Sequence, residues 1–327
     1  MASIPGGQYN VFAAGGQQVN VVVTPDGQNL PPPIPGEFNL EVITDGIVPP
    51  GIPPGYQGVA VLSDNGQTIN MAYGGWALQI TGDPTVIGGA GSDTIYGGSG
   101  GDIITGGGGS DVIYGGNGKD TITGGSGPAT IYGGNGGDVI NGGSGPDLII
   151  GGNGKDMITG GTGPDTIVAG HGGDLIVGGN GPDLIFGCDG HDTIFGGNGP
   201  DTIYGGHGAL LVHGGTGADL VYGGNGNDTI FGGSGPDTVD GGGGHNQIYA
   251  GTGGTLIEDS GIKGHDTVVG FNQAHGDAIT FAGQNAATID HVVATATVSG
   301  GSTTITLPDG STMTLIGITH IDSTFFH

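Results

Sequence analysis

The sequence predicts an all-β protein whose central part is a parallel β-roll, with a small β-rich module on either side of it. The main observation is a nine-residue pattern, G-G-x-G-x-D-x-U-x, that repeats nineteen times from Gly88 to Glu258 without insertion or deletion. The second is that the eighth residue, U, is Ile or Val in every repeat. A fixed short period is typical of a solenoid, in which each unit buries its apolar side against its neighbours.

The composition opposes folding by hydrophobic burial alone. Among 327 residues there are 83 glycines and only 6% aromatic residues, and glycine loses more backbone entropy on folding than any other residue. Thirty acidic residues against three lysines and no arginine give a formal charge of −27. Such self-repulsion opposes compaction and excludes nucleic acid as a partner. We therefore expect a bound cation to be part of the fold.

Targeting and crosslinking signals are few. Cys188 is the only cysteine, so the fold cannot depend on an internal disulfide. The first residues carry neither a basic region nor an apolar run, so we expect no N-terminal signal peptide. No apolar run approaches the roughly 20 residues that a membrane helix needs, so we also expect no membrane span.

Residues 1–87 are predicted to form a β-rich module, rich in proline and glycine, that caps the solenoid or takes part in assembly. A hairpin is predicted from Tyr9 to Val23, and a half-buried strand from Phe38 to Val42, where apolar and polar residues alternate. A second hairpin is predicted from Val59 to Met71, because Asn65-Gly66 suits a tight type I′ turn.

Each repeat in residues 88–258 is predicted to contribute one short strand of three residues, at positions seven to nine. Side chains alternate between the two sides of a strand, so position eight points inward while positions seven and nine point outward. Two repeats should make one turn, which places equivalent residues eighteen positions apart on neighbouring turns. One aliphatic side chain per nine residues is a thin core, which cannot offset an ordering cost of about 1–2 kcal/mol per residue.

Residues 259–327 are predicted to hold degenerate final repeats, a β-hairpin cap and the chain's C-terminal tail. Asp266 and Asp277 each precede an aliphatic residue by two positions, as the repeat aspartate does. Three strands of alternating residues, joined by glycine-containing turns, are predicted at Val292–Val298, Ser302–Leu307 and Ser311–Ile316.

The loop chemistry of the repeat favours calcium. Ca²⁺ takes about 6–8 oxygen ligands from carboxylates and backbone carbonyls, and the G-G-x-G-x-D turn offers both, because its glycines allow backbone conformations that direct carbonyls to a common point. Each ion should lie between two loops one turn apart, so its two aspartates are eighteen residues apart, as Asp147 and Asp165 are. The expected metal ligands are Asp93, Asp102, Asp111, Asp120, Asp138, Asp147, Asp156, Asp165, Asp174, Asp183, Asp192, Asp201, Asp219, Asp228 and Asp237, with Asp266 and Asp277 as further candidates.

Four repeats lack the aspartate and have Ala129, Leu210, Asn246 or Thr255 in its place. Pairing the remaining aspartates eighteen residues apart gives roughly eleven calcium sites, with half-sites beside the first two of these residues. Eleven divalent ions would reduce the net charge from −27 to about −5. We therefore expect calcium binding to be inseparable from folding. The alternative, a disordered glycine-rich linker, does not explain an aliphatic residue at every eighth position.

In these repeats the sequence resembles the repeats-in-toxin (RTX) family, and the resemblance covers more than half of the chain. It implies a calcium-bound β-solenoid and a bacterial protein that is secreted to the extracellular space or the cell surface. It also implies export by the type I secretion machinery, directed by an uncleaved C-terminal signal. The block from Thr303 to Ile318 is similar to the C-terminal cap of secreted members. The segment from Asp322 to His327 is similar to their secretion tail, apart from the terminal histidine.

The repeats also differ from one another with a period of eighteen residues. Position nine of the odd-numbered repeats is aromatic or aliphatic through most of the solenoid, whereas the even-numbered repeats begin with Thr105, Thr123 and Asn141. The resulting outward row, here named the odd-strand ladder, consists of Tyr96, Tyr114, Tyr132, Ile150, Val168, Phe186, Tyr204 and Tyr222. It either supports its sheet through stacked neighbours or forms an assembly face against another subunit or the terminal modules.

No constellation of catalytic residues is visible, and we predict that the protein is not an enzyme. The segment Gly97–Gly101 matches G-x-S-x-G, but it lies in a repeat loop with no predicted helix after it. No H-E-x-x-H zinc motif occurs anywhere.

Three functions are compatible with these features. The first is a secreted structural protein, a subunit of an extracellular filament, surface layer or matrix, that folds and assembles into a homo-oligomer or polymer when it binds calcium outside the cell. The second is a monomeric calcium-dependent adhesin or surface-binding module, which would need a regular outward array. The third is an enzyme whose site the sequence does not reveal.

Overall fold

The computed structural model describes residues 85–327 in full and, before them, the backbone of six strands. These are Gly7–Phe12, Gln18–Thr24, Phe38–Ile43, Gly58–Leu62, Thr68–Asn70 and Ala77–Thr81. The chain forms two compact units, Met1–Asn153 and Gly154–His327.

Most strands of the repeats are five to seven residues long. They are longer than the predicted three residues because the glycines after position nine continue the pairing. The strands of odd-numbered repeats are Thr94–Ser99, Asp111–Asn117, Ala129–Asn135, Leu148–Asn153, Thr166–Gly172, Leu184–Gly190, Thr202–His207, Leu220–Gly226, Thr238–Asp240 with Gly243–Gly244, and Leu256–Asp259. Those of even-numbered repeats are Ile103–Gly107, Thr121–Gly125, Val139–Ser144, Met157–Thr162, Leu175–Asn180, Thr193–Asn198, Leu211–Thr216, Thr229–Ser234 and Gln247–Tyr249.

Neighbouring strands in each sheet of the first unit are parallel and eighteen residues apart. Ile113 of the odd-repeat sheet lies opposite Ile95 and Ile131, and in the even-repeat sheet Ile122 lies opposite Ile104 and Ile140. This register confirms that two repeats make one turn of a parallel β-solenoid.

The parallel coil of the first unit begins before the strict repeats. The strand Thr85–Gly89 pairs with Ile103–Gly107, and Ala77–Thr81 pairs with Thr94–Ser99. The hairpin predicted near the N-terminus is confirmed as an antiparallel pair of Gly7–Phe12 with Gln18–Thr24, although its turn lies outside the described residues. The strand predicted from Phe38 to Val42 is present as well.

The second predicted hairpin, from Val59 to Met71, is wrong. Both strands exist, but Gly58–Leu62 pairs in parallel with Ala77–Thr81, whereas Thr68–Asn70 pairs in parallel with Thr85–Gly89. Consecutive strands of a coil turn belong to opposite sheets, so a turn signal between them closes no hairpin.

The second unit continues both sheets past the last strict repeat. His265–Val269 pairs in parallel with Gln247–Tyr249, and Ala278–Phe281 pairs in parallel with Leu256–Asp259. The prediction that Asp266 and Asp277 introduce degenerate repeats is therefore confirmed for their strands.

A hairpin cap completes the second unit. Thr297–Ser299, Ser302–Thr306 and Thr312–Leu315 form two successive antiparallel pairs, as predicted, and the last of them also joins the coil in parallel beside His265–Val269. Short 3₁₀ turns occupy Gln273–His275 and Ser323–Phe325.

The strand predicted at Val292–Val298 is mostly wrong, because the α-helix Ala286–Thr295 covers its first half. The Asn285 side chain accepts hydrogen bonds from the amides of Ala287 and Thr288, and the Thr288 hydroxyl accepts one from the Asn285 amide. This capping box starts the helix.

The core is a row of aliphatic side chains between the two sheets of each unit. Every position-eight residue of the repeats is at most 1% exposed, while positions seven and nine are half-buried or exposed, except for the buried Asp240. The predicted inward position is confirmed. Because so little apolar surface is buried per residue, the loops must contribute a second source of stability.

Candidate metal sites along the repeat loops

All fifteen repeat aspartates are buried, with at most 4% of their surface exposed. Each lies at the start of a strand, two residues before the inward aliphatic side chain, so the alternation of the strand turns it to the same inner side. Burying a charged carboxylate is unfavourable unless it is hydrogen-bonded and paired with a cation. The loops therefore hold an ordered set of carboxylates that require compensation.

Hydrogen bonds bring aspartates eighteen residues apart into contact. The amide of Asp174 donates to Oδ1 of Asp192 at 2.8 Å, the amide of Asp183 donates to Oδ1 of Asp201 at 2.9 Å, and the same bond joins Asp102 to Asp120 at 2.8 Å. The predicted pairing of aspartates on neighbouring turns is therefore present within each unit.

The second carboxylate oxygen differs from the first. This Oδ2 atom is buried and accepts no hydrogen bond from any described residue in Asp120, Asp174, Asp183, Asp192, Asp201, Asp219, Asp228 and Asp237. A buried acceptor left without a partner costs roughly 1–3 kcal/mol, and more when it is charged. Because the same buried oxygen lacks a hydrogen-bond donor among the described residues in eight repeats, it indicates a site where a cation binds.

Backbone carbonyls of the next turn face the same space. A methyl group placed on Gly115 would lie 2.5 Å from Oδ2 of Asp120 and 2.6 Å from the carbonyl oxygen of Gly133. A side chain on Gly115 would therefore occupy the space that these two oxygens share, although two other repeats accommodate a methyl group at this position, in Ala169 and Ala250.

Burial raises the pKa of the aspartates, to about 6 for Asp183, Asp192, Asp228 and Asp237 and to about 7 for Asp201. Loss of hydration is the largest cause. The amide hydrogen bond lowers the pKa of Asp201, while the neighbouring carboxylates of Asp183 and Asp219 raise it. An unneutralised column of carboxylates thus holds protons more tightly than free aspartate does.

These donors fit calcium. Carboxylate and carbonyl oxygens are hard ligands of the kind that Ca²⁺ prefers. Among the described residues no three Asp, Glu, His or Cys side chains converge on one point. An ion between two loops would therefore take one or two carboxylates and complete its shell with backbone carbonyls, which is the ligand set expected from the repeat.

The four replaced aspartates change the loops in different ways. The amides of Ala129 and Leu210 still donate to Asp147 and Asp228, so the loops remain in register. The Leu210 side chain, however, fills the space in front of Gly205 that a carboxylate takes in other repeats. This half-site is therefore blocked by a methyl group.

Asn246 and the two further candidates, Asp266 and Asp277, are engaged in side-chain hydrogen bonds of their own. The Asn246 side-chain amide donates to Oδ1 of Asp266 at 2.8 Å. Asp277 accepts from the amide of Thr255 with Oδ1 and from the amide of Asn272 with Oδ2. These contacts favour a structural role for Asp266 and Asp277 over a place in the ion columns.

The nonapeptide repeats match a family model described as the RTX calcium-binding nonapeptide repeat. Nine overlapping matches of this model extend from residue 81 to residue 257, more than half of the chain. The chain belongs to the RTX calcium-binding repeat family. Its buried, uncompensated loop carboxylates are therefore part of calcium-binding repeats, and the resemblance seen in the sequence is confirmed.

Other comparisons add little to the RTX match. No curated protein matches the chain. A solved structure, the extracellular lipase LipA from Serratia marcescens, is 20% identical, with a TM-score of 0.22; the match covers 75% of this chain and 40% of the lipase. The chain thus spans less than half the length of that lipase. In the described part of this RTX protein, no helix has the length and apolar character to cross a membrane.

The odd-strand ladder is a row of stacked rings in both units. Tyr96, Tyr114 and Tyr132 stack with ring centres 4.7 and 4.8 Å apart. In the second unit Phe186, Tyr204 and Tyr222 stack at 5.2 and 5.1 Å. Tyr96 and Tyr204 remain about two-fifths exposed, at 41% and 39%. The rings therefore support one another and still present an outward face.

The even-numbered strands of the second unit carry a second row of rings, here named the even ladder, which was not predicted from the sequence. Phe195, His213, Phe231 and Tyr249 stack with ring centres 4.4 to 4.8 Å apart. The signal was present, since these residues share position nine at spacings of eighteen, but the histidine within the row concealed its aromatic character.

Proposed function

We propose that this RTX protein is a secreted structural protein, a subunit of an extracellular filament, surface layer or matrix. It folds when it meets calcium outside the cell and then assembles with further copies. Proteins with RTX repeats are typically secreted, and export by type I machinery would deliver this chain unfolded into a calcium-rich medium.

The observation that carries the calcium-dependent part is the column of buried Oδ2 atoms without hydrogen bonds. All of them except Asp228 lie beside another carboxylate one turn away, so the fold without cations combines desolvation with repulsion. Bound calcium would remove both costs, with the fifteen repeat aspartates as carboxylate ligands and about eleven ions per chain. Because this arrangement exists only in the coil, the binding energy of the metal becomes folding energy.

The odd-strand ladder supports the assembly part. In each unit its rings form an outward row on the odd-repeat sheet, and exposed apolar patches usually mark contacts. Residues 1–87 and 259–327 would then flank the 88–258 solenoid as capping or assembly modules, the latter including the C-terminal secretion signal. A monomeric adhesin is the second candidate, because the same row could bind a foreign surface instead of another copy.

Electron microscopy of the purified chain with millimolar calcium separates these two functions. We expect regular filaments or sheets that dissolve when a chelator removes the calcium. Folded monomers that never assemble, at any protein concentration, would contradict the structural role and leave the adhesin as the better account.

A further inference from the structure

The even-numbered strands of the second unit form an outward face that carries no carboxylate. Seven strands contribute to it, from Met157–Thr162 to His265–Val269, each with two outward side chains. They are Met157, Thr159, Leu175, Val177, Thr193, Phe195, Leu211, His213, Thr229, Phe231, Gln247, Tyr249, Thr267 and Val269. The repeat aspartates of this unit are buried in the loops, so the face presents apolar and uncharged polar side chains.

The opposite sheet of the same unit differs at one end. There the row of rings ends in two acidic residues, because Asp240 lies directly opposite Tyr222 and Glu258 lies opposite Asp240. The even-strand row ends instead in Tyr249 and Val269, which lie opposite one another. Charge thus marks the two sheets of this unit as different surfaces.

From this we infer that the even-strand face of the second unit binds the same face of a second copy of the chain, forming a two-fold symmetric dimer. The inference concerns a different sheet from the odd-strand ladder and does not depend on the assembly proposed for that ladder.

Electrostatics favours a second copy as the occupant. Even with about eleven calcium ions bound, each chain keeps a net charge of about −5. Two copies therefore repel each other in most orientations, and the repulsion is smallest where surfaces without carboxylates meet. The histidine among these outward residues is His213, and burial lowers the pKa of its imidazole. The face therefore remains uncharged at neutral pH.

The shape of the face also suits its own copy. The rings of Phe195, His213 and Phe231 stand 4.8 and 4.5 Å apart, which is the strand spacing of the sheet. An identical face has the same period, so rings of the two copies can interleave along the whole length. Two residues after each ring the chain has a glycine, such as Gly197 after Phe195 and Gly215 after His213. The absence of a side chain there leaves space for the rings of the second copy.

The area is sufficient for a dimer of modest affinity. Seven strands at about 4.8 Å spacing and about 17–20 Å length give roughly 500–600 Å² per copy. Two copies would bury about 1,000–1,200 Å² in total, the lower limit for a specific interface. We expect a dissociation constant in the micromolar range. The dimer should therefore be detected as a concentration-dependent change in sedimentation and not as a permanent complex.

Analytical ultracentrifugation of the full chain in millimolar calcium tests the inference. At protein concentrations below those at which filaments form, we expect a monomer–dimer equilibrium for the natural chain, and at least tenfold weaker association when Phe195→Asp and Phe231→Asp are combined. The matched control is Tyr204→Asp with Tyr222→Asp, the same change of charge and ring loss on the opposite sheet, which should leave the dimer intact. A natural chain that stays monomeric, or a dimer unaffected by the first pair, would overturn the inference. Equal loss with both pairs would overturn it as well.

A crosslink provides a second measurement that does not need the aspartate variants to fold. Leu211 lies on the middle strand of the face, close to where a two-fold axis would pass. In a Cys188→Gly background, Leu211→Cys should form a disulfide-linked dimer under mild oxidation, whereas Ala209→Cys, at an exposed loop position, should not. Absence of the Leu211→Cys crosslink would contradict the two-fold arrangement. Filament formation is scored separately by microscopy, so loss of filaments with retention of this dimer distinguishes the two proposals.

Discussion

Eight of the repeat aspartates divide their two carboxylate oxygens between two tasks. In Asp192, Oδ1 accepts the amide of Asp174, which fixes the orientation of the carboxylate, while Oδ2 accepts no hydrogen bond from the described residues and remains open to a cation. Asn246 shows what is lost when the charge is absent. Its side-chain oxygen still accepts a hydrogen bond from the backbone amide of Asp228. Its side-chain nitrogen donates a hydrogen bond to Asp266 and so takes the place of an ion.

Restoring a carboxylate at Leu210 should create calcium sites that the natural chain lacks. In Leu210→Asp, the new side chain would stand between Asp192 and Asp228, whose Oδ2 atoms lack hydrogen bonds from described residues. We expect at least one further ion per chain by native mass spectrometry. Stability should rise by about 2–3 kcal/mol when calcium is a hundredfold above the new dissociation constant.

Ala209→Asp is the matched control for this prediction. It adds the same charge one residue earlier, at an exposed position of the loop, so it should add no ion. An unchanged number of ions in Leu210→Asp would mean that the loops do not bind calcium through the aspartates of neighbouring turns.

Cys188 carries backbone strain that a glycine would remove. It occupies the second position of its repeat with φ of 72°, and among the described residues no other side-chain-bearing residue has a positive φ. The left-handed region costs a non-glycine residue about 1–2 kcal/mol, while glycine costs roughly 0.5–1 kcal/mol in unfolded-state entropy. Cys188→Gly should therefore stabilise the calcium-bound fold by about 1 kcal/mol or less, seen as a slightly higher melting temperature. A lower melting temperature would show that the thiol makes a compensating contact.

At the scale of single elements, sequence periodicity predicts the strands of the repeats because the Ile or Val at position eight decides which side of each strand is buried. It fails where local signals compete. Asn65-Gly66 favours a tight turn, yet the flanking strands Gly58–Leu62 and Thr68–Asn70 pair with other turns of the coil. The helix Ala286–Thr295 is rich in β-branched residues, and its signal lies in the cap at Asn285 rather than in its interior.

The metal loops were predictable for a similar reason, since the position of every aspartate follows from the period. What the sequence could not provide is the occupancy of the space beside them. Whether Leu210 leaves a half-site open depends on where its methyl groups lie, and whether Asp277 is open depends on two amides, those of Thr255 and Asn272. Both depend on tertiary contacts, which the repeat period does not specify.

The odd-strand ladder should be separable from folding. Tyr114 and Tyr204 each stack between two other rings, so Tyr114→Asp with Tyr204→Asp removes ring contacts worth about 0.5–1.5 kcal/mol each and places charge on the proposed assembly face. We expect calcium-driven folding to remain, by circular dichroism, while filaments or sheets disappear under the microscope.

Thr105→Asp with Thr123→Asp provides the control for the ladder variant, because it adds the same charge at position nine of even-numbered strands without removing a ring. This pair should assemble normally. If the tyrosine pair abolishes folding as well as assembly, the ladder serves the sheet and not a partner.

For the whole molecule, calcium and folding should be one equilibrium. A chain with charge −27 and one aliphatic core residue per repeat has too little apolar burial to remain compact alone. We expect a disordered circular dichroism spectrum in chelator, a cooperative gain of β-structure on calcium titration, and reversal on renewed chelation. Magnesium is the control, since its demand for a small octahedral shell suits these loops poorly. A spectrum that chelator leaves unchanged would contradict this coupling.

Acid should partly replace calcium. In the folded coil the pKa of Asp201 is raised to about 7 and those of Asp183, Asp192, Asp228 and Asp237 to about 6, whereas unfolded aspartate titrates near 3.9. Between these values the folded chain binds more protons than the unfolded chain, so stability falls as the pH rises from about 4 to about 7 and stays low above that.

Without calcium, lowering the pH from 8 to about 5 should therefore increase β-structure, measured by circular dichroism in metal-free buffer. With calcium present the same protons compete for the carboxylates, so the apparent calcium affinity should fall over the same range, and binding should release more protons at pH 6 than at pH 8. Leu210→Asp would strengthen both effects, because it adds one more buried carboxylate to the column. Equal disorder at pH 5 and pH 8 in the absence of metal would show that carboxylate repulsion is not what keeps the calcium-free chain unfolded.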